Sequence, residues 1–249
     1  MKLTEHVYLV GGGPFTGFGL TSGADSHIYL IEGGDRLVLV DVGLGLDEGF
    51  GQMVENIRGH GFDPDDIDVV ALTHYHGDHA GGARRAQEEF GAELAIHHEA
   101  AASLESADEE ATGLSAARDA GVFPETARLE PCAVQLRLDE GDEIPVGPGR
   151  LRFVATPGHC RGHGSFLLTG LGDPALFAGD ALFWAGRILL QAVPDCDLQA
   201  SLESLRRLAS LDFQGFYPGH GAITINGGGV HAQMARSEVD SLSVPKSII

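Results

Sequence analysis

The stretch LTHYHGDHAGG, residues 72–82, follows directly on an apolar run at residues 69–72. Its centre holds four titratable side chains within six positions: His74, His76, Asp78 and His79. Titratable groups are costly to bury unless they are paired or bind a metal. Neutral imidazoles and carboxylates are ligands for divalent metals such as zinc. We therefore expect the chain to fold around a metal-binding loop at the end of a buried strand.

The spacing inside this loop indicates how its ligands divide. Side chains two residues apart start on the same side of an extended backbone, so His74 and His76 can hold one ion. Gly77 allows a turn, which lets Asp78 and His79 face a second ion. On these residues alone, one metal and two metals both remain open.

Three further candidate ligands each follow a predicted strand and lie beside a glycine. They are His159 in TPGH, Asp180 in AGD and His220 in PGHG. One histidine beside a glycine is an ambiguous signal, because histidine has many structural roles. As a set that follows the histidine loop, the three residues indicate that distant parts of the chain supply the same metal site.

The rest of the chain alternates short β-rich runs with helical patterns, which is typical of α/β proteins. Glycines 33 and 34 predict a hairpin turn between two of the strands. We find no polar linker and no short repeat, so the sequence predicts a single domain over residues 1–249, with two sheets packed together and helices outside. Strands are predicted near residues 6–10, 26–32, 36–42, 66–73, 93–97, 134–138, 150–156, 165–170, 175–180 and 216–217. Helices are predicted at residues 48–60, 80–90 and 197–209, in one or two exposed helices between residues 98 and 121, and in a final amphipathic stretch.

Two segments have alternative interpretations. The acidic, alanine-rich insert at residues 99–125 is either a solvated surface or a lid over the substrate. In the glycine-rich loop at residues 11–23, the glycines either only make turns or present Phe15 and Phe18 as a cover for an apolar acyl group. Both alternatives are kept as hypotheses.

Charge and composition limit the expected partners. Sixteen Lys and Arg stand against 36 Asp and Glu, a formal net charge of -20, which repels phosphate backbones and anionic lipids. We therefore expect a small-molecule substrate, with no nucleic acid and no membrane as partner, and a homo-oligomer remains open.

No export signal and no run of about 18 apolar residues is found. Cys132, Cys160 and Cys196 form no CxxC pair, which favours a reducing, cytoplasmic location.

These motifs, together with Asp41 in VDVG, resemble those of the metallo-β-lactamase-fold superfamily in order and spacing. The resemblance implies an α/β protein with an αβ/βα four-layer sandwich, in which two mixed β-sheets carry helices on their outer faces. The aspartate of AGD and the second histidine of HCRGH, His163, are similar to those of the glyoxalase II-like and lactonase-like branches. Lactam hydrolysis is less expected, because β-lactamases usually lack a bridging aspartate there. The segment after His220 is too short for the glutathione-binding domain of glyoxalase II.

The resemblance also implies a role for each residue. Asp180 bridges two metal ions, and Asp41 and His163 support the ligands through hydrogen bonds. The first ion is held by His74, His76 and His159, and the second by Asp78, His79 and His220. The ions are expected to be zinc, with iron or manganese as alternatives.

The resulting functional hypothesis is a dinuclear metal-dependent hydrolase of an ester, thioester or lactone. A metal-bridging hydroxide would be the nucleophile, with Asp78 and Asp180 as the catalytic carboxylates. The alternative is a persulfide dioxygenase of the same fold, in which a single iron is bound by His74, His159 and Asp180. That alternative leaves His79 and His220 without a role.

Overall fold

The protein is described here by a computed structural model, which covers residues 1–14, 18–21, 23–191 and 195–248. The chain forms two compact units, Met1–Leu138 and Asp139–Ile249. Each unit contains one mixed β-sheet and several helices, which confirms the predicted α/β class. The single domain over residues 1–249 stays a prediction. Within the described residues, no helix combines the length and the apolar character that crossing a membrane requires.

The first unit has a six-stranded sheet with the strand order β1-β2-β3-β4-β5-β6. The strands are β1 (Val7–Gly11), β2 (Ile28–Glu32), β3 (Leu37–Val40), β4 (Ile67–Ala71), β5 (Glu93–His97) and β6 (Leu136–Leu138). The helices are α1 (Asp47–Gly59), α2 (Gly77–Ala80), α3 (Ala83–Phe90), α4 (His98–Glu105) and α5 (Leu114–Asp119), with a 3₁₀ turn at Pro64–Asp66.

Strand direction in this sheet decides where the histidine loop leaves it. The first three strands are antiparallel, and β3 to β6 are parallel. Val40, the last residue of β3, pairs with Ala71, the last residue of β4. Asp41 and the histidine loop therefore leave the sheet side by side at one edge. The apolar runs of β3 and β4 are almost wholly buried, as is usual for parallel strands.

The second unit has a five-stranded sheet with the order β11-β10-β9-β8-β7. Its elements are β7 (Glu143–Val146), β8 (Gly149–Ala155), β9 (Gly164–Thr169), β10 (Ala175–Gly179), α6 (Leu198–Leu208), β11 (Gly215–Pro218) and α7 (Gly229–Asp240). Strand β7 was not predicted, because it is a short edge strand whose run EIPV contains Pro145.

Three strands of the second sheet point the same way. Strand β9 is antiparallel to both β8 and β10, and β11 is parallel to β10. The carboxyl ends of β8, β10 and β11 therefore lie at one edge of the sheet. The motifs that contain His159, Asp180 and His220 follow these three ends.

The insert at residues 99–125 is less exposed than expected. It contains most of α4 and all of α5, and the side chains of Ala100, Leu104 and Leu114 are buried, because each helix turns an apolar side to the interior of the first unit. Leu114 fills the space that a Cβ on Gly77 would need, so this part of the insert packs against the histidine loop. The lid alternative stays a hypothesis.

The glycine-rich loop at residues 11–23 is described only in part. Phe15 lies outside the described residues. Phe18 is exposed, and its ring centroid is 5.4 Å from that of His27. The proposed cover over an acyl group therefore stays a prediction.

The packing of β8 and β9 predicts a sharp difference between two glycine substitutions. A Cβ at Gly164 would overlap the ring of Phe153, which is fully buried. We expect Gly164→Ala to lower the free energy of unfolding by ~1–3 kcal/mol through overpacking. At Gly51, inside α1, a Cβ would meet nothing within 4 Å, so Gly51→Ala should stabilise the protein by ~0.5–1 kcal/mol. Urea denaturation of both variants tests this, and equal stabilities would contradict it.

Candidate metal centre

The carboxylate of Asp41 organises the histidine loop. Asp41 directly follows β3, has a φ of 60°, and donates its backbone N–H to the carbonyl of Ala71 over 3.1 Å. Its side chain is buried. Oδ1 accepts the backbone N–H of Thr73 at 2.8 Å, and Oδ2 lies 2.8 Å from Nδ1 of His79. The hydroxyl of Thr73 also donates to this carboxylate, over 2.9 Å to Oδ2.

These contacts determine which nitrogen of His79 can bind a metal. A carboxylate only accepts hydrogen bonds, so Nδ1 of His79 carries the proton and Nε2 keeps its lone pair. That Nε2 lies 3.8 Å from Oδ2 of Asp78. Two atoms suited to a divalent metal thus lie side by side, and a carboxylate orients the imidazole from behind, as is usual for metal-binding histidines.

Thr73 orients His74 in a comparable way. The hydroxyl of Thr73 donates its only hydrogen to Asp41 and lies 3.0 Å from Nδ1 of His74. It therefore accepts the Nδ1 proton of His74, which leaves Nε2 of that ring with its lone pair. The ring centroid of His74 is 4.1 Å from that of His79 and 4.6 Å from that of His76. The three histidines of the loop consequently converge, although Thr73 itself was not predicted.

The backbone holds the loop as well. Val42 donates its N–H to the carbonyl of His79 over 2.8 Å, and Ser26 donates to the carbonyl of Asp78 over 3.0 Å. These bonds tie α2, which contains Asp78 and His79, to the residues just after β3 and just before β2.

Asp25 is a buried residue near the loop that the sequence did not indicate. Its Oδ1 accepts the backbone N–H of Leu44 at 2.7 Å, and a Cβ on Gly43, whose φ is 69°, would lie 2.8 Å from the same oxygen. Burial raises the pKa of Asp25, and the hydrogen bond from Leu44 opposes that change. No motif or periodicity marks this aspartate, because its role depends on a contact between distant segments.

The second unit brings its three predicted ligands together at the shared sheet edge. Oδ2 of Asp180 lies 3.7 Å from Nε2 of His159 and 3.4 Å from Nε2 of His220. The side chains of Asp180 and His159 are buried, and that of His220 is 14% exposed. One carboxylate oxygen therefore faces two imidazole nitrogens, which is a suitable arrangement for a shared metal ligand. His163 contacts Asp180 through its backbone, since the N–H of Asp180 donates to Nε2 of His163 over 3.0 Å.

Helix α6 holds the loop before His159. Asp197, the N-cap of α6, donates its backbone N–H to the carbonyl of Gly158 over 2.7 Å, and the hydroxyl of Ser204 donates to the carbonyl of Pro157 over 2.7 Å. Gly158 has a φ of 136°, and a Cβ there would overlap Ser201. The glycine of TPGH is thus required both by its backbone conformation and by the close approach of the helix.

Each unit therefore assembles the predicted ligands that it contains. Every one of them offers an imidazole nitrogen or a carboxylate oxygen that can bind a metal. Five imidazoles and two carboxylates suit zinc, and also iron or manganese. The candidate ligands are His74, His76, Asp78 and His79 in the first unit, and His159, Asp180 and His220 in the second.

Comparison with known proteins identifies the family. The family model for the metallo-beta-lactamase superfamily matches residues 22–220, which include all seven candidate ligands. The chain belongs to the metallo-β-lactamase superfamily. The recognition of this superfamily from the five motifs is thereby confirmed.

Individual relatives agree with this assignment. The lactamase-like protein vrtG of Penicillium aethiopicum is 27% identical over 218 residues, which cover 88% of this chain and 57% of that protein. The atrochrysone carboxyl ACP thioesterase of Aspergillus fumigatus is 27% identical over 234 residues, which cover 94% of this chain and 60% of that protein. The matches thus span less than two thirds of the length of these relatives.

Solved structures show the fold. A metallo-β-lactamase family protein from Thermus thermophilus superposes with a TM-score of 0.73 and 27% identity, over 96% of this chain and 81% of that one. This similarity confirms the predicted metallo-β-lactamase fold.

The contacts of Asp41 predict the effect of Asp41→Asn. Both carboxylate oxygens accept hydrogen bonds, but an amide has one oxygen and an NH₂ group, so it cannot serve both Thr73 and His79. We expect the affinity for zinc to fall ~10–100-fold with the fold retained. Metal titration of the metal-free protein, with circular dichroism for the fold, measures this. Asp35→Asn, at an exposed position, is the control, and equal affinities in all three proteins would remove Asp41 from the metal centre.

Proposed function

We propose that this chain is a dinuclear metal-dependent hydrolase that cleaves an ester, thioester or lactone bond. The observation that carries the proposal is the number of supported ligands. A catalytic zinc ion usually has three protein ligands. Seven buried or half-buried ligands, several of them oriented by hydrogen bonds, exceed the needs of one ion.

The proposed assignment follows the family resemblance and the clusters within each unit. Asp180 is the ligand proposed to serve both ions, because one of its oxygens faces two imidazoles. The first ion would be held by His74, His76 and His159, and the second by Asp78, His79 and His220. Zinc is proposed because imidazoles dominate the donor set.

The ions and the protein would contribute different parts of the chemistry. When bound, two divalent ions lower the pKa of a shared water and polarise the substrate carbonyl. The carboxylate of Asp78 is 16% exposed and stays within reach of solvent, so it can accept a proton from the attacking water. Asp41 and Thr73 fix the imidazoles of His79 and His74, so these rings need no reorientation during the reaction. No serine or cysteine nucleophile is required.

A cleft in the second unit supports a small-molecule substrate. Its volume is about 410 Å³, which is within the range of small-molecule sites. Its lining includes Gly158 and Cys160, the sequence neighbours of His159, together with Arg161 and the first turn of α6 around Leu198. The name of the Aspergillus fumigatus relative adds support for a thioester, because that protein is a thioesterase.

The two-metal proposal predicts a specific loss in His79→Ala. The variant should bind about one metal ion per chain instead of about two. Hydrolysis of model thioesters should fall by ~100-fold or more, since metal stabilisation is worth several kcal/mol and each ~1.4 kcal/mol changes a rate tenfold. Elemental analysis and a thioesterase assay measure both effects. His6→Ala is the matched control, because the ring of His6 pairs with Glu32 next to β1, and the variant should leave both values unchanged.

The same variant separates the hydrolase from the iron dioxygenase. In a dioxygenase, a single iron on His74, His159 and Asp180 would remain after His79→Ala, and oxygen consumption with a persulfide would persist. A wild-type protein that carries one iron, consumes oxygen and tolerates His79→Ala would overturn the hydrolase proposal.

A further inference from the structure

A buried chain of hydrogen bonds in the second unit runs from the backbone of Asp180 to the end of β10. The N–H of Asp180 donates to Nε2 of His163 over 3.0 Å. Nδ1 of His163 lies 2.9 Å from Oγ1 of Thr156, which lies 3.0 Å from Oγ of Ser165. The hydroxyl of Ser165 donates to the carbonyl of Ala178 over 3.0 Å. The side chains of His163, Thr156 and Ser165, which form this series of hydrogen bonds, are at most 1% exposed.

The two backbone groups at the ends of this series determine which atom donates in each of its hydrogen bonds. A backbone N–H can only donate, so Nε2 of His163 must accept and cannot carry a proton. A backbone carbonyl can only accept, so the hydroxyl hydrogen of Ser165 points to Ala178. Oγ of Ser165 must then accept a hydrogen bond from the hydroxyl of Thr156. Thr156 therefore has no hydrogen left to donate to His163. Oγ1 of Thr156 is left to accept from Nδ1 of His163, which therefore carries the proton.

We propose that Thr156 and Ser165 are positioning residues, which hold His163 as the tautomer protonated on Nδ1 and thereby fix the backbone that aims the carboxylate of Asp180. Their importance for metal binding rests on the proposed function, in which Asp180 is the shared ligand. The tautomer itself follows from the hydrogen bonds alone.

The alternative tautomer would break the arrangement at its functional end. A proton on Nε2 of His163 would face the N–H of Asp180 across 3.0 Å, so two donors would meet without an acceptor. The turn after β10 would have to shift to relieve this contact. Asp180 sits in that turn, with its Oδ2 only 3.4–3.7 Å from two imidazole nitrogens, so a small backbone shift would misplace the carboxylate.

His231 provides an internal comparison, because its ring is oriented in the opposite sense. The N–H of Ala185 donates to Nδ1 of His231 over 3.2 Å, and Nε2 lies 2.8 Å from Oγ1 of Thr224. By the same reasoning, His231 carries its proton on Nε2. Burial lowers the pKa of His231, which favours the neutral ring. The second unit therefore contains two buried neutral histidines with opposite predicted tautomers.

Nitrogen-15 NMR of the histidine rings tests the tautomers in the zinc-loaded protein, because protonated and unprotonated ring nitrogens have different shifts. We expect the proton on Nδ1 in His163 and on Nε2 in His231, with the signals assigned from His163→Gln and His231→Gln. In Ser165→Ala, the hydroxyl of Thr156 loses its acceptor and can donate to Nδ1 instead. His163 should then acquire a population protonated on Nε2, while His231 keeps its tautomer.

Metal titration of the metal-free variants tests the positioning role. We expect Thr156→Val to weaken zinc binding ~10–100-fold and Thr156→Ser, which retains the hydroxyl, to restore it. Thr224→Val removes the same kind of hydroxyl from His231 and should leave zinc affinity unchanged.

A proton on Nε2 of His163 in the wild-type protein would overturn the inference, as would unchanged zinc affinity in both Thr156→Val and Ser165→Ala. If the expected tautomers are found but thioesters and esters are not hydrolysed, the proposed function fails while the tautomer assignment stands. If hydrolysis is found with the wrong tautomer, the positioning role fails alone.

Discussion

An imidazole that offers one nitrogen to a metal has to find a partner for the other nitrogen inside the protein. The candidate centre depends on this requirement. In the first unit Asp41 satisfies it, since its buried carboxylate accepts hydrogen bonds from His79 and Thr73, and Thr73 in turn accepts from His74. Because the carboxylate is short and leaves the sheet beside the histidine loop, the arrangement is rigid. The left-handed backbone at Asp41 is part of the same geometry.

The second unit orients its proposed shared ligand, Asp180, with neutral groups. Nε2 of His163 accepts the backbone N–H of Asp180, and Nδ1 donates to the hydroxyl of Thr156, which in turn donates to Ser165. A neutral chain of this kind orients Asp180 without adding a further charge to the buried edge of the sheet. Both units thus place the ligands in loops at strand ends and the orienting groups at or beside the ends of the strands.

Helices complete the support from outside the sheets. The first turns of α6 contact the loop before His159, and Leu114 of the insert packs against Gly77 in the histidine loop. These contacts give a structural role to α6 and to the insert, and for the insert the sequence had left a solvated surface and a lid as alternatives. They also explain why two motif glycines, Gly77 and Gly158, have no room for a side chain. Membership of the metallo-β-lactamase superfamily is consistent with such a fixed scaffold, on which the substrate cleft can vary.

The sequence by itself determined the α/β class, most of the strands, the superfamily and the residue types of a metal centre. Those features are local, because hydrophobic runs, glycine turns and ligand motifs each consist of residues close together in the sequence. The sequence missed the edge strand β7, the burial of the insert and the roles of Asp25, Thr73, Thr156 and Ser165. Only the tertiary structure decided these, because an isolated threonine or aspartate carries no periodic signal. Strand direction and pairing, which are set by contacts far apart in the chain, place such residues against the ligands that they orient.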